Sequence, residues 1–417
     1  MAVRTSPRRV VAVLLFVIPL SQVGLDVYTP ALPKLVTEFA ASNELVQNTV
    51  TAYMLGMSVA FIPIGLLADA VGRKRVLVAA LGVVVVASLG CVFALNLSVL
   101  LGMRFAQGVG GGACLLLAAT VAADTFRGSR LVAMMGMLGA AWGSAPVLAP
   151  AVGGLMLQFA SWRAVFALFA VLAPVVLGVV AVLLPETPPP VARSRINVRA
   201  AGQVVRTALR HRIFLTFVAM FALIGAAQMV YGVVAPFLYE TDLGFSPAAY
   251  GMIALVVGVA NLLGELGCGA LAARIPGRRL ALIGWAVLIA GGLTLVGTGA
   301  IHCASALAIT VGGGVALLGC GVLDPQSKGL ALGVFTRNLG LIAGLVNTCC
   351  YLTVSVAMAL MAYLPENTPE PLGGLYVGIG VVFVALVMLV LPRRTGTPAH
   401  TSGERAWAVV PGHAPTS

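Results

Sequence analysis

Four charged residues interrupt the long apolar stretches of this 417-residue chain, and they are the first candidates for chemistry. Asp26 and Arg104 lie in the first half, and Glu265 and Arg337 lie in the second. An ionised carboxylate is costly in apolar surroundings, so Asp26 is expected to hold a proton unless a cation approaches. A proton and a cationic or polar ligand then compete for one group. A purely structural Asp26, hydrogen-bonded to a neighbouring helix, is the alternative.

Arg104 is predicted to lie at the depth of Asp26. Each is about seven or eight residues from the same end of its apolar stretch, or about 10–12 Å at the helical rise. We expect Arg104 to hydrogen-bond to the helix of Asp26 and to stabilise the ionised carboxylate in one of two states. Gln22 and Gln107 are expected to complete this polar cluster. An arginine bound only to backbone carbonyls is the alternative.

Glu265 and Arg337 form the corresponding candidate pair in the second half. Glu265 is about nine residues before Arg274, and Arg337 is about nine residues after Lys328. Both should therefore lie about 13 Å from the end of the spans opposite to the one used for Asp26 and Arg104. The sequence leaves two interpretations open: a structural ion pair, or a second protonation site at Glu265.

The composition indicates that the helices carrying these charges lie in a membrane. Hydrophobic residues make up 60% of the chain and charged residues only 9%, and the mean hydropathy is +1.05. A water-facing surface needs about 25% charged residues, which excludes a soluble enzyme or nucleic-acid-binding protein and also excludes a disordered chain. The seven cysteines form no C-x-x-C pair, the four histidines are scattered, and there is no P-loop. We therefore expect no enzyme activity, metal site or cofactor.

Twelve apolar runs are long enough to cross a bilayer as helices, because a crossing needs about 20 residues. They do not alternate as barrel strands do. The runs lie near residues 10–33, 46–68, 76–96, 98–123, 130–157, 162–184, 213–239, 247–272, 280–301, 303–323, 330–362 and 372–391. The first has no small-residue cleavage site, so we interpret it as a retained span rather than a signal peptide.

Basic residues predict the orientation. Twenty-one of the 25 lie in the N-terminus, the even-to-odd loops or the C-terminus, whereas the opposite loops hold only Lys34 and Arg163. Both termini are therefore predicted to be cytoplasmic. The predicted domains are a six-helix bundle (1–184), a cytoplasmic linker (185–212), a second six-helix bundle (213–392) and a disordered tail (393–417). The linker is interpreted either as a plain connection or as carrying a short amphipathic helix on the membrane surface.

An internal repeat relates the two halves. The segment 65–77 (GLLADAVGRKRVL) matches 269–282 (GALAARIPGRRLAL) with one inserted proline, at an offset of 204 residues. An even number of spans separates the copies, so the halves are predicted to be parallel repeats that rock about a midplane site.

Four motifs give the chain a resemblance to the major facilitator superfamily. They are 65–77, 101–112 (LGMRFAQGVGGG), 143–155 (GSAPVLAPAVGGL) and 25–35 (LDVYTPALPKL), and the last is most similar to the bicyclomycin and chloramphenicol resistance branch of drug:proton antiporters. The resemblance implies an all-helical membrane fold of two six-helix repeats. It also implies proton-coupled export of small lipophilic, cationic or phenicol-type compounds through a bacterial inner membrane. Implied partners are a small-molecule substrate, protons and membrane lipid, with no nucleic acid, in a monomer.

The first motif predicts a conformational latch. Gly72 permits a tight turn, and the Asp69 carboxylate can cap a helix N-terminus. By resemblance, that helix is span eleven, and Arg73 pairs with Asp124 at the end of span four. Charges that merely mark the cytoplasmic interface are the alternative.

Span five carries the antiporter-like motif, although Ala149-Pro150 stands where Gly-Pro is usual. Small residues allow close helix packing and prolines bend the helix. The motif residues are Gly139, Gly143, Pro146, Pro150, Gly153 and Gly154.

A substrate cavity is predicted between the two bundles. Aromatic and methionine side chains adapt to varied lipophilic ligands and contact cations. Besides Gln22 and Gln107, the candidates are Tyr28, Tyr53, Trp142, Gln228, Met229, Tyr231 and Asn261, and Tyr28 is favoured because it lies within a motif. Other functions left open are export of one native metabolite such as a siderophore, proton-coupled uptake, and a non-transporting sensor.

Overall fold

A computed structural model describes residues 7–185, 198–272, 274–300, 305–335, 339–364 and 368–390. These residues form helices, and the described part contains no strand. Three predictions lie outside it: the structure of most of the linker, the tail, and the proposed pairing of Glu265 with Arg337.

The first seven helices cover the N-terminal part of the chain. They are α1 (Pro7–Asp26), α2 (Leu32–Glu38), α3 (Asn43–Val71), α4 (Arg73–Val92), α5 (Leu97–Thr125), α6 (Gly128–Phe159) and α7 (Trp162–Leu183). A short 3₁₀ turn, Thr29–Ala31, separates α1 from α2. The first predicted span is therefore a broken helix, and it breaks directly after Asp26 because the next turn carries Pro30, which lacks a backbone donor.

The remaining helices follow the linker. They are α8 (Val198–Arg210), α9 (Arg212–Pro236), α10 (Pro247–Leu271), α11 (Gly277–Ala300), α12 (Ala306–Gly333), α13 (Leu339–Met361) and α14 (Glu370–Val390). A π-helical segment, Phe237–Asp242, continues α9. Of the two interpretations of the linker, the structure has the short helix, α8, and the His211 imidazole caps α9 by accepting a hydrogen bond from the Phe214 amide at 3.2 Å.

Within the described residues, eleven helical stretches are long and apolar enough to cross a membrane. The twelfth predicted span corresponds to α14, whose apolar stretch Glu370–Leu386 is shorter than the others. The hydrocarbon core of a bilayer offers no water, so each segment that crosses it must form its backbone hydrogen bonds internally, as a helix does.

Close packing of small residues joins neighbouring helices. α3 packs against α5, where Gly108 lies on the Tyr53 backbone so closely that a β-carbon has no room. The N-terminal and C-terminal helices meet along two seams, α6 with α10 and α3 with α13. In the second seam, the Ser58 and Thr348 hydroxyls donate to each other's backbone carbonyls, at 3.1 and 3.2 Å.

The α6–α10 seam is tight at one end only. Gly154 lies against Pro247 and Gly251 against Pro150, each in backbone contact, and Gly153 of α6 lies against the backbone of Val27, which follows α1. Toward the other end, a β-carbon on Gly139 or Gly269 would meet nothing within 4 Å. The glycine contacts of the two helices therefore lie toward the end that carries Lys34 and not toward the end that carries Arg73.

Candidate functional site

A cavity lies between the two sets of helices, where about 800 Å³ is free of protein atoms, including space open to solvent. Its lining is mostly apolar and comes from α1, α3, α6, α9, α10, α12 and α13. Two carboxylates line it, Asp26 from α1 and Glu265 from α10, and no Lys or Arg does among the described residues. A cavity with this lining favours an apolar body that carries positive charge.

The predicted cavity residues divide into two groups. Trp142, Gln228, Met229, Tyr231 and Asn261 line the cavity. Gln22, Tyr28, Tyr53 and Gln107 instead lie behind its wall, where their side chains are buried with Arg104. The lining also contains residues that the sequence did not single out, among them Thr29, Val50, Tyr250, Leu317 and Met358.

Asp26 ends α1 at the edge of the cavity and is 8% exposed. Its carboxylate accepts a hydrogen bond of 2.9 Å from the Gln22 amide, one helical turn earlier. Its backbone carbonyl accepts the Thr29 hydroxyl at 2.9 Å. The break in the helix therefore places this acid where the cavity, the buried cluster and the 3₁₀ turn meet.

Arg104 is fully buried behind Asp26. One guanidinium nitrogen, Nη1, donates to the Gly24 carbonyl at 2.8 Å and to Gln107 Oε1 at 2.7 Å. The expected hydrogen bond from Arg104 to the first span is thus present, and it goes to the backbone. In this structure no ion pair joins Arg104 to Asp26, although the guanidinium lies within electrostatic reach of the carboxylate.

Aromatic rings enclose the Arg104 guanidinium. Its central carbon lies 4.7 Å from the Tyr28 ring centroid and 4.5 Å from that of Tyr53, where the ring faces attract a cation. The Tyr28 hydroxyl is hydrogen-bonded to Thr49. The Nε and Nη2 atoms of Arg104 are buried without a hydrogen-bond partner. The guanidinium therefore has two nitrogen donors without a hydrogen-bond partner near the Asp26 carboxylate.

Glu265 is held by a chain of amides. Gln228 of α9 donates to Asn261 Oδ1 at 3.0 Å, and Asn261 donates to Glu265 Oε1 at 3.0 Å. A β-carbon on Gly143 of α6 would lie 3.5 Å from Glu265 Oε2, so this carboxylate rests against the other side of the cavity. These contacts link the two sets of helices through one acid.

Asp324 and Lys328 of α12 lie within electrostatic reach of Glu265. The sequence analysis did not single out Asp324, because the only signal was an acid one turn before a basic residue near the end of a span. The Lys328 ammonium also lies 5.5 Å from the Phe221 ring centroid. Glu265 therefore has a cation nearby on the adjacent helix.

The latch residues meet at the open end of the cavity. Arg73 contacts Asp69 at 2.7 Å and Asp124 at 2.9 Å, so the expected pairing with Asp124 is present. Gly72 has φ of 114°, a backbone conformation that requires glycine. The start of span eleven, where Asp69 was expected to cap a helix, precedes Leu339 and lies outside the described residues.

The sequence and the fold are similar to those of known transporters. The family model of the Major Facilitator Superfamily matches residues 14–318. The multidrug resistance protein MdtL of Escherichia coli O81 (strain ED1a) is 27% identical over 375 residues, which are 89% of this chain and 93% of that protein. YdgK of Bacillus subtilis (strain 168), an uncharacterized MFS-type transporter, is 27% identical over 248 residues, or 59% of this chain and 62% of that relative.

Two solved structures share the fold. The crystal structure of a D-xylose-proton symporter superposes with a TM-score of 0.75 at 15% identity, over 90% of this chain and 97% of that one. The human organic anion transporter MFSD10 (TETRAN) superposes with a TM-score of 0.68 at 16% identity, over 92% of this chain and all of that one (100%).

Proposed function

Because the chain belongs to the major facilitator superfamily of membrane transport proteins, we propose that it is a drug:proton antiporter that exports lipophilic cations and related small drugs. The observation that carries this proposal is Asp26, a buried acid at the wall of a mostly apolar cavity. The similarity to MdtL, a multidrug resistance protein, supports export. The activity is transport, not catalysis.

Competition at Asp26 is the proposed coupling step. With the cavity empty, a proton neutralises the carboxylate and removes the cost of a buried charge. A bound cation stabilises the ionised form, so its arrival releases the proton. Arg104 lies behind the same carboxylate with two free donors and stabilises it after the cation leaves. This exchange makes the binding of drug and proton mutually exclusive.

Glu265 is proposed to select cations rather than to drive the exchange. Its hydrogen bond from Asn261 orients one carboxylate oxygen, while the other rests against Gly143 of α6. Lys328 lies near it, so a transported cation competes here with a resident cation. Such a site would bind cationic substrates more tightly than neutral ones, so the affinity for neutral phenicols should depend on Glu265 less.

Alternating access is proposed to occur by rocking of two six-helix bundles. The twelve spans would place both termini in the cytoplasm of a bacterium, so that the open Arg73 end faces inward. The contacts of Arg73 with Asp69 and Asp124 belong to the proposed latch on this side. The glycine contacts of α6 with α10 form the opposite closure.

Proton release on ligand binding tests the coupling step directly. We would add tetraphenylphosphonium at saturating concentration to purified protein in weakly buffered detergent and compare wild type with Asp26→Asn and Glu265→Gln. The expected result is proton release that disappears in Asp26→Asn and persists in Glu265→Gln. Unchanged release from Asp26→Asn, with ligand still bound, would reject Asp26 as the exchange site.

A further inference from the structure

A third acid at the closed end of the cavity, Glu240, has no part in the exchange at Asp26. It lies in the π-helical segment Phe237–Asp242 that follows α9, and π-helical turns often mark functional sites. Its Oε1 atom is buried and has no hydrogen-bond partner. An ionised carboxylate is costly in that state, so the closed arrangement favours the neutral acid.

The other described acids at this end are placed differently. Glu38 forms an ion pair of 2.8 Å with Arg163. Glu44 and Glu370 lie in the first turns of α3 and α14, where the helix dipole favours negative charge. Asp242 is exposed to solvent. Glu240 alone among them combines a buried oxygen with the lack of a partner for it.

Charged and titratable groups from several elements face Glu240. Lys34 of α2 is within electrostatic reach, but its ammonium donates instead to the Leu157 carbonyl at 2.9 Å. Tyr250 of α10 faces the same carboxyl group. Tyr239 precedes it in the π-helical segment, and Tyr231 of α9 interacts with Tyr239. Lys34 is thus the one cation among these neighbours, and it forms no hydrogen bond to Oε1 of Glu240, while the remaining neighbours are phenols.

Tyr250 connects this acid to the cavity. It lines the cavity together with Asp26, and its hydroxyl interacts with the Thr29 side chain. Thr29 donates to the Asp26 backbone carbonyl at 2.9 Å. Two polar side chains therefore stand between Glu240 and the proposed exchange site.

Helices of both halves pack around the segment that carries Glu240. α2 packs against both the π-helical segment and α9, and the 3₁₀ turn packs against α9 and α10. All of these contacts join the N-terminal helices to the C-terminal helices. Separation of the two sets would admit water to the carboxyl group and remove the cost of its ionisation.

We propose that Glu240 is a proton-binding site and that the Lys34 end of the cavity closes only when this carboxyl group is protonated. One proton from the medium adds to a carboxylate oxygen on closure and leaves on opening, and no other bond changes. The inference rests on the proposed function for its direction. With the termini in the cytoplasm, this end faces outward, so the transporter closes behind a departed drug only after a proton arrives.

The distance across this end measures closure without any substrate. Nitroxide labels would replace Leu95 and Leu307, which are 88% and 72% exposed at the two sides of this end, in full-length protein whose native cysteines are replaced by alanine. Double electron–electron resonance would measure the distance between the two labels and so give the ratio of closed to open protein between pH 5 and pH 9. The ratio should rise as pH falls, by at most about tenfold per pH unit for one proton.

The variants separate Glu240 from its neighbours and from Asp26. Glu240→Gln should hold this end closed at every pH, with at least about a tenfold higher closed-to-open ratio at high pH. Glu240→Asp should restore the pH dependence. Asp242→Asn, which removes an exposed carboxylate two residues away, should match wild type, and Asp26→Asn should keep a pH-dependent distance.

The inference is overturned if Glu240→Gln retains the wild-type pH dependence, or if Asp26→Asn alone abolishes it. It is also overturned if Asp242→Asn shifts the ratio as far as Glu240→Gln does. Failure of drug:proton antiport would appear separately, as ligand binding without proton release in wild type, because the distance measurement needs no drug.

Discussion

Asp26 and Glu265 line the same cavity from opposite sides, but their surroundings differ. Behind Asp26 lies a fully buried guanidinium with aromatic rings at 4.5 and 4.7 Å. Behind Glu265 lies a chain of two amides, from Gln228 and Asn261. Lys328 of the neighbouring α12 is exposed and lies within electrostatic reach of the carboxylate. One acid has a fixed cation that cannot leave, and the other has neutral donors and an exposed cation.

We propose that this difference gives separate tasks to two acids of similar chemistry. A fixed buried cation stabilises the empty, ionised carboxylate between proton and drug, which a cycle of exchange requires. Neutral amides orient a carboxylate without supplying charge, so at Glu265 a ligand cation competes only with the nearby Lys328 for the carboxylate. The environment of each acid, rather than its residue type, therefore decides between coupling and selection.

The largest effect is expected from Arg104→Met. The substitution removes two charge-assisted hydrogen bonds, each worth about 1.5–3 kcal/mol, and leaves Gln107 Oε1 and the Gly24 carbonyl buried without a donor. Efflux should be lost, and the unfolding temperature in detergent should fall strongly. Arg163→Met is the matched control, because its ion pair with Glu38 is partly exposed and should be worth about 1 kcal/mol or less. Equal losses in the two variants would contradict a special role for Arg104.

A smaller effect is expected where α6 contacts the two acids. A β-carbon on Gly153 would collide with the backbone of Val27, next to Asp26, so Gly153→Ala should cost about 1–3 kcal/mol. A β-carbon on Gly143 would lie at an ordinary 3.5 Å from Glu265 Oε2, so Gly143→Ala should be tolerated. Thermal unfolding of the two variants checks the contrast. A larger loss in Gly143→Ala would show that the seam is tight beside Glu265 instead.

Glu265→Gln should separate cations from neutral ligands. Removing the charge should weaken tetraphenylphosphonium binding about tenfold, which corresponds to about 1.4 kcal/mol, and leave chloramphenicol binding nearly unchanged. Isothermal titration with both ligands measures the two affinities in one preparation. An equal loss for both would mean that Glu265 shapes the cavity and does not select charge.

The smallest effect is expected from Asn261→Ala. It removes one neutral hydrogen bond, from Gln228, and the bond that orients Glu265, at a net cost of about 1 kcal/mol for the former. Cation affinity should fall by a few-fold, while proton release from Asp26 persists. Thr294→Val serves as a control for a hydroxyl bond away from the cavity acids, because the Thr294 hydroxyl donates to the Ala290 carbonyl on the exposed face of α11. If Asn261→Ala abolished proton release, Asp26 and Glu265 would have to act as one coupled site.

The sequence predicted the candidate site in part. It placed Asp26 and Arg104 at one depth and anticipated a bond from Arg104 to the first span, because helical rise converts residue counts into distances. It did not single out Asp324 or Glu240, since each lies near the end of an apolar run, where charged residues are common. The interruption of the first span directly after Asp26 was also missed, although Pro30 signals it.

By itself, the sequence determined the membrane class, the helical spans and the residues that bear charge within them, because hydropathy and helical periodicity are local properties of the chain. The tertiary structure decided which groups meet. It placed Tyr28 and Tyr53 around Arg104 rather than on the cavity, set Glu265 against Gly143, and buried one oxygen of Glu240 without a partner. These contacts join helices far apart in the sequence, and their geometry depends on how the helices pack, which no local pattern encodes.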